Sequence, residues 1–264
     1  MLCMPTQYVA GIMMMVRAMV ADLRLIEVEP SANPLKNVAQ HIGFAAMTPM
    51  QVYSSLQDEA EAERLRRISV LLIGGAAIDD KLAETLRTFP NAIYSTYGMT
   101  ETVSHIALRR ISGDEAADSY TPLPSVSIAL SDHGTLTIDA PAISAETIVT
   151  NDYACILPDG SFRITGRADN VINSGGIKLQ IEEIEQKLAA DNPCAFAITS
   201  VTDSKYGQAV VLLVEGCDPK AVELRSLGKY ERPKHTIRIG SIPLTPTGKI
   251  DRKACKNIAE KIVM

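Results

Sequence analysis

The sequence predicts an α/β protein in two parts. An incomplete large N-terminal domain, with a parallel βαβ core and a small antiparallel sheet, is followed by a smaller α+β C-terminal domain. Three observations predict it. The continuous apolar run Val70-Leu71-Leu72-Ile73 ends at Gly74-Gly75 and reads as a strand buried on both faces. A helical pattern and a second short strand ending at Tyr97-Gly98 follow directly, completing a βαβ unit. Downstream, the texture changes to short β segments with turn signals, and then to a helix, a hairpin and a terminal helix. The 264 residues correspond to one or two domains at roughly 150 residues each, and a 46% hydrophobic content suffices for a sizeable core.

Residues 1–16 carry no charge and include Ile12-Met13-Met14-Met15-Val16, but Arg17, Asp22 and Arg24 interrupt the run well short of the roughly 20 apolar residues a membrane span needs. A signal peptide would have a basic start, which is missing. A buried helix is predicted. Because nothing precedes it to cover it, the chain is expected to lack its beginning. From Met50 to Arg67 the pattern is helical and increasingly charged. Asp79 and Asp80 open a helix with Ile78, Leu82, Leu86 and Phe89 on its apolar face, Pro90 closes it, and Ala92-Ile93-Tyr94 forms the next strand. Parallel strands put their carboxyl ends on one edge, so the Gly74-Gly75-Ala76 loop and the loop from Tyr97 to Thr102 are expected to line one crevice.

Between about residues 120 and 167, Asp132-His133-Gly134 and Pro158-Asp159-Gly160 are hairpin turn signals in a small antiparallel sheet. After Gly166 come a polar loop through Asn173-Ser174-Gly175-Gly176 and a helix with Ile181, Ile184 and Leu188 on one face, stopped by Asn192-Pro193. Strands over 195–201 and 208–214, a strand near 235–242, a tight turn at Pro246-Thr247-Gly248 and a helix from Asp251 complete the chain. This last stretch reads as a separate α+β module from about residue 170 to 264.

Composition and missing motifs narrow the function. The 26 basic and 31 acidic residues give a net charge of −5 without clustered Lys or Arg, which argues against nucleic acid and membrane surfaces as partners. The five scattered cysteines contain no C-x-x-C pair and predict a cytoplasmic protein without a disulfide framework. His41, His105, His133 and His235 read as surface or packing residues. H-E-x-x-H, G-x-S-x-G, the EF-hand loop and zinc spacings are absent, as are G-x-x-x-x-G-K-[ST] and G-x-G-x-x-G.

What stands out is polar groups on loops. Thr100 and Glu101 follow a strand end, where a hydroxyl can hold phosphate and a carboxylate can hold Mg2+. Asp152 can accept both hydroxyls of a ribose, Arg167 follows a glycine, and Lys249 sits beside a glycine turn. Taken alone, each also has an ordinary reading: a helix start, a turn residue, a solvated cation.

Read in order, four motifs resemble those of the adenylate-forming superfamily of acyl- and aryl-CoA ligases, adenylation domains and luciferases. Tyr97-Gly98-Met99-Thr100-Glu101-Thr102 is similar to its Y-G-x-T-E box, and Thr150-Asn151-Asp152 to its T-G-D. Gly166-Arg167-Ala168-Asp169 through Glu185 resembles its hinge segment, and the run from Pro243 to Lys249 its terminal P-x-T-x-[ST]-G-K. The resemblance covers essentially the whole chain. Within the superfamily, the wording from Tyr97 to Ala107 and from Asn173 to Lys178 is most similar to the 2-succinylbenzoate-CoA ligases of menaquinone synthesis.

The resemblance implies an AMP-forming acid–thiol ligase using ATP, Mg2+ and coenzyme A on a small-molecule carboxylic acid, compatible with a homo-oligomer. A carboxylate attacks the α-phosphate of ATP to give an acyl-adenylate, and the CoA thiol then displaces AMP. It implies that Gly74, Gly75 and Ala76 contact adenine or border the acyl pocket, with Gly98 beside them, and that Tyr97 stacks on adenine. It further implies that Thr100 binds phosphate, that Glu101 holds Mg2+, and that Asp152 and Arg167 hold the ribose. Lys249 reaches the carboxylate and α-phosphate, Asp169 is the hinge, and Gly176 borders the pantetheine tunnel. The chain departs from the family in lacking the Ser/Thr/Gly-rich phosphate loop upstream, so the alternatives are another acyl- or aryl-CoA ligase and a non-catalytic fragment that binds adenylate or CoA.

Overall fold

A computed structural model describes residues 1–245 and 248–263. The chain divides into two compact units. The first comprises Met1–Ser131, Thr137–Thr150 and Cys155–Arg163, and the second Asp132–Leu136, Asn151–Ala154 and Ile164–Met264.

In the first unit, α1 (Val9–Val20) confirms the helix predicted from the apolar run but corrects its burial. Only Gly11 and Met14 are buried, while Met19 is 71% and Val20 83% exposed. Next come β1 (Phe44–Met47), α2 (Pro49–Leu56) and α3 (Glu59–Arg66). The helical pattern predicted over 50–67 is divided into two helices. The Asp58 side chain accepts from the Glu61 amide and starts a new helix, a local bond that competes with continuing the old one. Strand β2 (Val70–Ile73) runs parallel to β1, pairing Phe44 with Val70, and α4 (Asp80–Arg87) carries the chain across to β3 (Ala92–Gly98), parallel again with Val70 opposite Ala92.

As the sequence predicts, Asp79 caps α4 by accepting from the Leu82 amide at 3.0 Å, and Ile78, Leu82, Leu86 and Phe89 are buried. Two strands the sequence reading did not foresee, β4 (His105–Arg110) and β5 (Thr121–Pro122), extend the sheet antiparallel beyond β3. A second sheet runs in chain order through β6 (Ser127–Leu130), β7 (Thr135–Asp139), β8 (Ile148–Ile156) and β9 (Phe162–Arg167). Both expected turns are present, with Gly134 at φ +80° and Gly160 at φ +81°.

The second unit opens with β10 (Val171–Ser174) and β11 (Ile177–Gln180). The polar loop predicted through 173–176 is the turn of this antiparallel hairpin, because Gly175 and Gly176 supply the two consecutive positive φ angles, +60° and +83°, of a two-residue connection. Then follow α5 (Ile181–Asp191), the antiparallel pair β12 (Phe196–Asp203) and β13 (Gly207–Glu215), β14 (His235–Ile239) parallel to β13, and α6 (Arg252–Val263). Strand β13 alternates: Val210, Leu212 and Val214 pack with Ile184 and Leu188 of α5, while Val211 and Leu213 pack with Cys255 and Ala259 of α6. The predicted turn at Pro246 and Thr247 lies outside the described residues.

The cysteines correct another expectation. Cys194 and Cys217 form a disulfide with Cα atoms 6.4 Å apart, because the antiparallel register of β12 and β13 brings the residues before one strand and after the other together. Cys3, Cys155 and Cys255 are free. No helix among the described residues is long and apolar enough to cross a membrane.

The Arg252 guanidinium grips Glu185 with two bonds of 2.5 and 2.6 Å, and Glu185 also accepts from the Ile198 amide. Glu185→Ala leaves that guanidinium and amide without their partner at a mostly buried site. It is expected to destabilise the second unit by about 3–5 kcal/mol, read from the urea midpoint.

Candidate active site

Two parallel crossings fix the edge at which polar groups gather in the first unit. β2 ends at Ile73 and β3 at Gly98, so the loops holding Gly74, Gly75 and Ala76 and holding Met99 to Ser104 both leave from the carboxyl edge of the sheet. Gly74 is required by close approach: a Cβ there would stand 2.2 Å from Thr96 Oγ1. At Gly98 a Cβ would meet the Ser104 carbonyl oxygen at 2.4 Å, beside the irregularity where β3 slips against β4.

Residues Thr100–Thr102 form one 3-10 turn. The buried Thr102 hydroxyl accepts from the Met99 amide at 2.9 Å and lies 2.7 Å from the Ser104 carbonyl, cross-linking the turn. Val103 is held there at φ +61°, costly for a β-branched residue. Thr100 and Glu101 stand exposed on this braced loop.

Tyr97 does not present a bare ring. Its centroid is 5.3 Å from that of Phe162, edge to face, and 5.9 Å from that of Tyr120, whose hydroxyl bonds Ser95 at 2.8 Å. Sequence reasoning missed Phe162 and Tyr120. Their pairing depends on the bridge between Tyr120 and Phe162, which no local pattern announces.

A second group missed from sequence lies beside the same loop. Arg17 of α1 donates to Ser104 Oγ at 2.7 Å and sits 3.3 Å from His105 Nδ1. No carboxylate pairs with it among the described residues. Burial, and then the nearby Arg17 charge, push the His105 pKa below its ordinary 6.5. The only sequence signal was Arg17 as the first charge ending an apolar run.

In the second unit, Asp152, Arg167 and Asp169 come together. Arg167 donates to Asp152 Oδ1 at 2.7 Å and straddles Asp169 with two bonds of 3.0 Å. The hydrogen bonds to Asp169 raise the Arg167 pKa, and the same bonds lower that of Asp169. Gly176 is an exposed turn residue. Lys249 is exposed, and its carbonyl accepts from the Thr245 amide at 2.7 Å. The residues present fit a magnesium ion held chiefly by phosphate and water: Glu101 offers one exposed carboxylate, and no cluster of three acidic, His or Cys groups exists among the described residues.

The profile of the AMP-binding enzyme family matches residues 1–142. A probable 2-succinylbenzoate–CoA ligase of Mycobacterium tuberculosis is 24% identical, aligned over 96% of this chain and 72% of its own length. An acyl-CoA synthetase (AMP-forming)/AMP-acid ligase II-like protein of Dyadobacter fermentans is 37% identical with a TM-score of 0.61, the match covering 96% of this chain and 76% of that one. E. coli MenE with bound OSB-AMS shares the fold at 23% identity and a TM-score of 0.78, with 99% of this chain covering 60% of it. The α/β architecture predicted from sequence is that of these structures.

The His105 shift sets a pH dependence. As pH falls below about 6.5, the unfolded chain takes up a proton that the folded ring refuses, so stability declines until the lower folded pKa is reached. Stability curves from pH 8 to pH 5 are expected to show this loss in the wild type and to lack it in His105→Gln.

Proposed function

The chain belongs to the AMP-binding enzyme family of AMP-forming acid–thiol ligases, and on that premise we propose that it converts 2-succinylbenzoate to its CoA thioester in menaquinone synthesis. The acid's carboxylate oxygen attacks the α-phosphorus of ATP, the bond to the β-phosphate breaks, and pyrophosphate leaves. The CoA sulfur then attacks the acyl carbon, AMP departs with the bonding pair, and the thiol proton passes to solvent. Tyr97, packed from behind by Phe162 and Tyr120, offers a fixed face to adenine beside Gly74, Gly75, Ala76 and Gly98. Thr100 donates to phosphate, and Asp152, oriented by Arg167, accepts from the ribose. Glu101 would hold Mg2+, which supplies charge neutralisation on the phosphates when bound. Lys249 brings its ammonium to the reacting carboxylate and α-phosphate, where it offsets developing negative charge. Residues 1–168 and 169–264 act as the two domains, pivoting at Asp169 between the half-reactions, with Gly176 bordering the thiol's path.

The observation that carries the substrate assignment is Arg17. A half-buried guanidinium aligned by Ser104 and His105, with no carboxylate partner among the described residues, suits an acid with a second carboxylate. The protein is expected to work in the cytoplasm, where ATP and CoA are supplied.

ATP–pyrophosphate exchange tests the reading. Exchange driven by 2-succinylbenzoate and not by benzoate is expected. A folded chain without exchange points instead to an adenylate- or CoA-binding role. Lys249→Ala is expected to lower exchange by roughly 10²–10³ while preformed acyl-adenylate still reacts with CoA; equal loss in both half-reactions defeats this division of labour. Arg17→Met is expected to raise the KM for 2-succinylbenzoate about tenfold to a hundredfold, as for a lost charged hydrogen bond.

A further inference from the structure

The segment around Asp169 is fastened from two sides, and only one of them belongs to the groups assigned above. Arg167 ties it to Asp152 and Asp169. The other fastening comes from the start of α5. The Gln180 side chain occupies the space a Cβ would take at Gly166: such an atom would lie 2.0 Å from Gln180 Nε2 and 2.5 Å from Cδ and Cγ. From that seat Nε2 donates to the Arg167 carbonyl at 2.8 Å and to Glu182 Oε2 at 3.2 Å. The other oxygen of Glu182 accepts from Asn170 Nδ2 at 2.5 Å. Two side chains at the head of one helix therefore hold backbone and side chain on both flanks of Asp169.

We propose that Gln180 and Glu182 are positioning residues that latch residues 166–170 in the observed conformation, so that any pivot at Asp169 must first break the Gln180–Arg167 and Glu182–Asn170 bonds. A rotation about Asp169 changes the backbone dihedrals on either side of it. The Arg167 carbonyl and the Asn170 amide group then leave the partners that Gln180 and Glu182 fix to the helix. The meaning of the pivot rests on the two-step ligase reading above; the latch does not.

Amide hydrogen exchange on the ligand-free protein tests the latch without any activity. In Gln180→Ala, amides 167–171 are expected to exchange about tenfold faster, as for loss of one hydrogen bond. Amides of β12 and β13 should keep their rates. Gln180→Glu keeps the side chain against Gly166 and removes the donor, so it is expected to match Gln180→Ala. Unchanged exchange at 167–171, or acceleration spreading through β12 and β13, overturns the latch. A second arm measures CoA transfer from acyl-adenylate against ATP–pyrophosphate exchange. A change of the ratio by threefold or more in the Gln180 variants supports latch-limited pivoting, and loss of both by the same factor refutes it. Absence of exchange in the wild type counts against the ligase reading while the first arm still decides the latch.

Discussion

Strands covered on both faces can carry almost no polar side chains, and that constraint sorts the chemistry of the first unit. Leu71, Leu72 and Ile73 are all buried in β2, as is Ile93 beside them. The buried polar exception in β3, Ser95, is satisfied by the Tyr120 hydroxyl. Exposed hydroxyls and carboxylates such as those of Thr100 and Glu101 are thereby left to the loops where the strands end. The Met99–Ser104 loop shows what that placement demands. A turn that exposes Thr100 and Glu101 keeps its shape only because Thr102 is turned inward to bond both of its flanks, and it tolerates Val103 at a positive φ for the same reason.

Three arginines illustrate how charge is used at different depths. Arg252 is matched one to one with Glu185, both partners lie mostly buried, and the pair fixes the second unit. Arg167 is shared between two carboxylates and stands half in solvent, so each bond contributes little alone and the group can exchange partners. Arg17 faces a hydroxyl and a histidine, with no carboxylate partner among the described residues, and its charge adds to burial in lowering the pKa of that histidine.

Much of this was legible in the sequence, and what was not has a physical cause. The βαβ unit was readable because Asp79, the Ile78-Leu82-Leu86-Phe89 stripe and the Val70-Leu71-Leu72-Ile73 run are local signals that agree with one another. The break between α2 and α3 was hidden because Asp58 fits a helix pattern by periodicity and acts as a cap only through its side chain. Gly175-Gly176 looked like a polar loop since the short strands flanking it alternate weakly. The grouping of Asp152 with Arg167 follows from β8 lying beside β9. Phe162 beneath Tyr97, Arg17 beside His105 and Cys194 joined to Cys217 all depend on pairings distant in sequence, and no window of neighbouring residues contains them. The exposure of α1 was misjudged because hydropathy reports what a side chain prefers, not what lies next to it.

Gly98 and Gly166 differ in what opposes a side chain at each. At Gly98 the obstacle is the Ser104 carbonyl and the His105 Cα, main-chain atoms that no neighbouring substitution can remove. At Gly166 it is the end of the Gln180 side chain, which a change at position 180 would withdraw. Over evolutionary drift the first position is frozen regardless of background, whereas the second is a paired site. Shortening residue 180 removes the steric obstacle at 166, while the φ of +157° there still favours glycine.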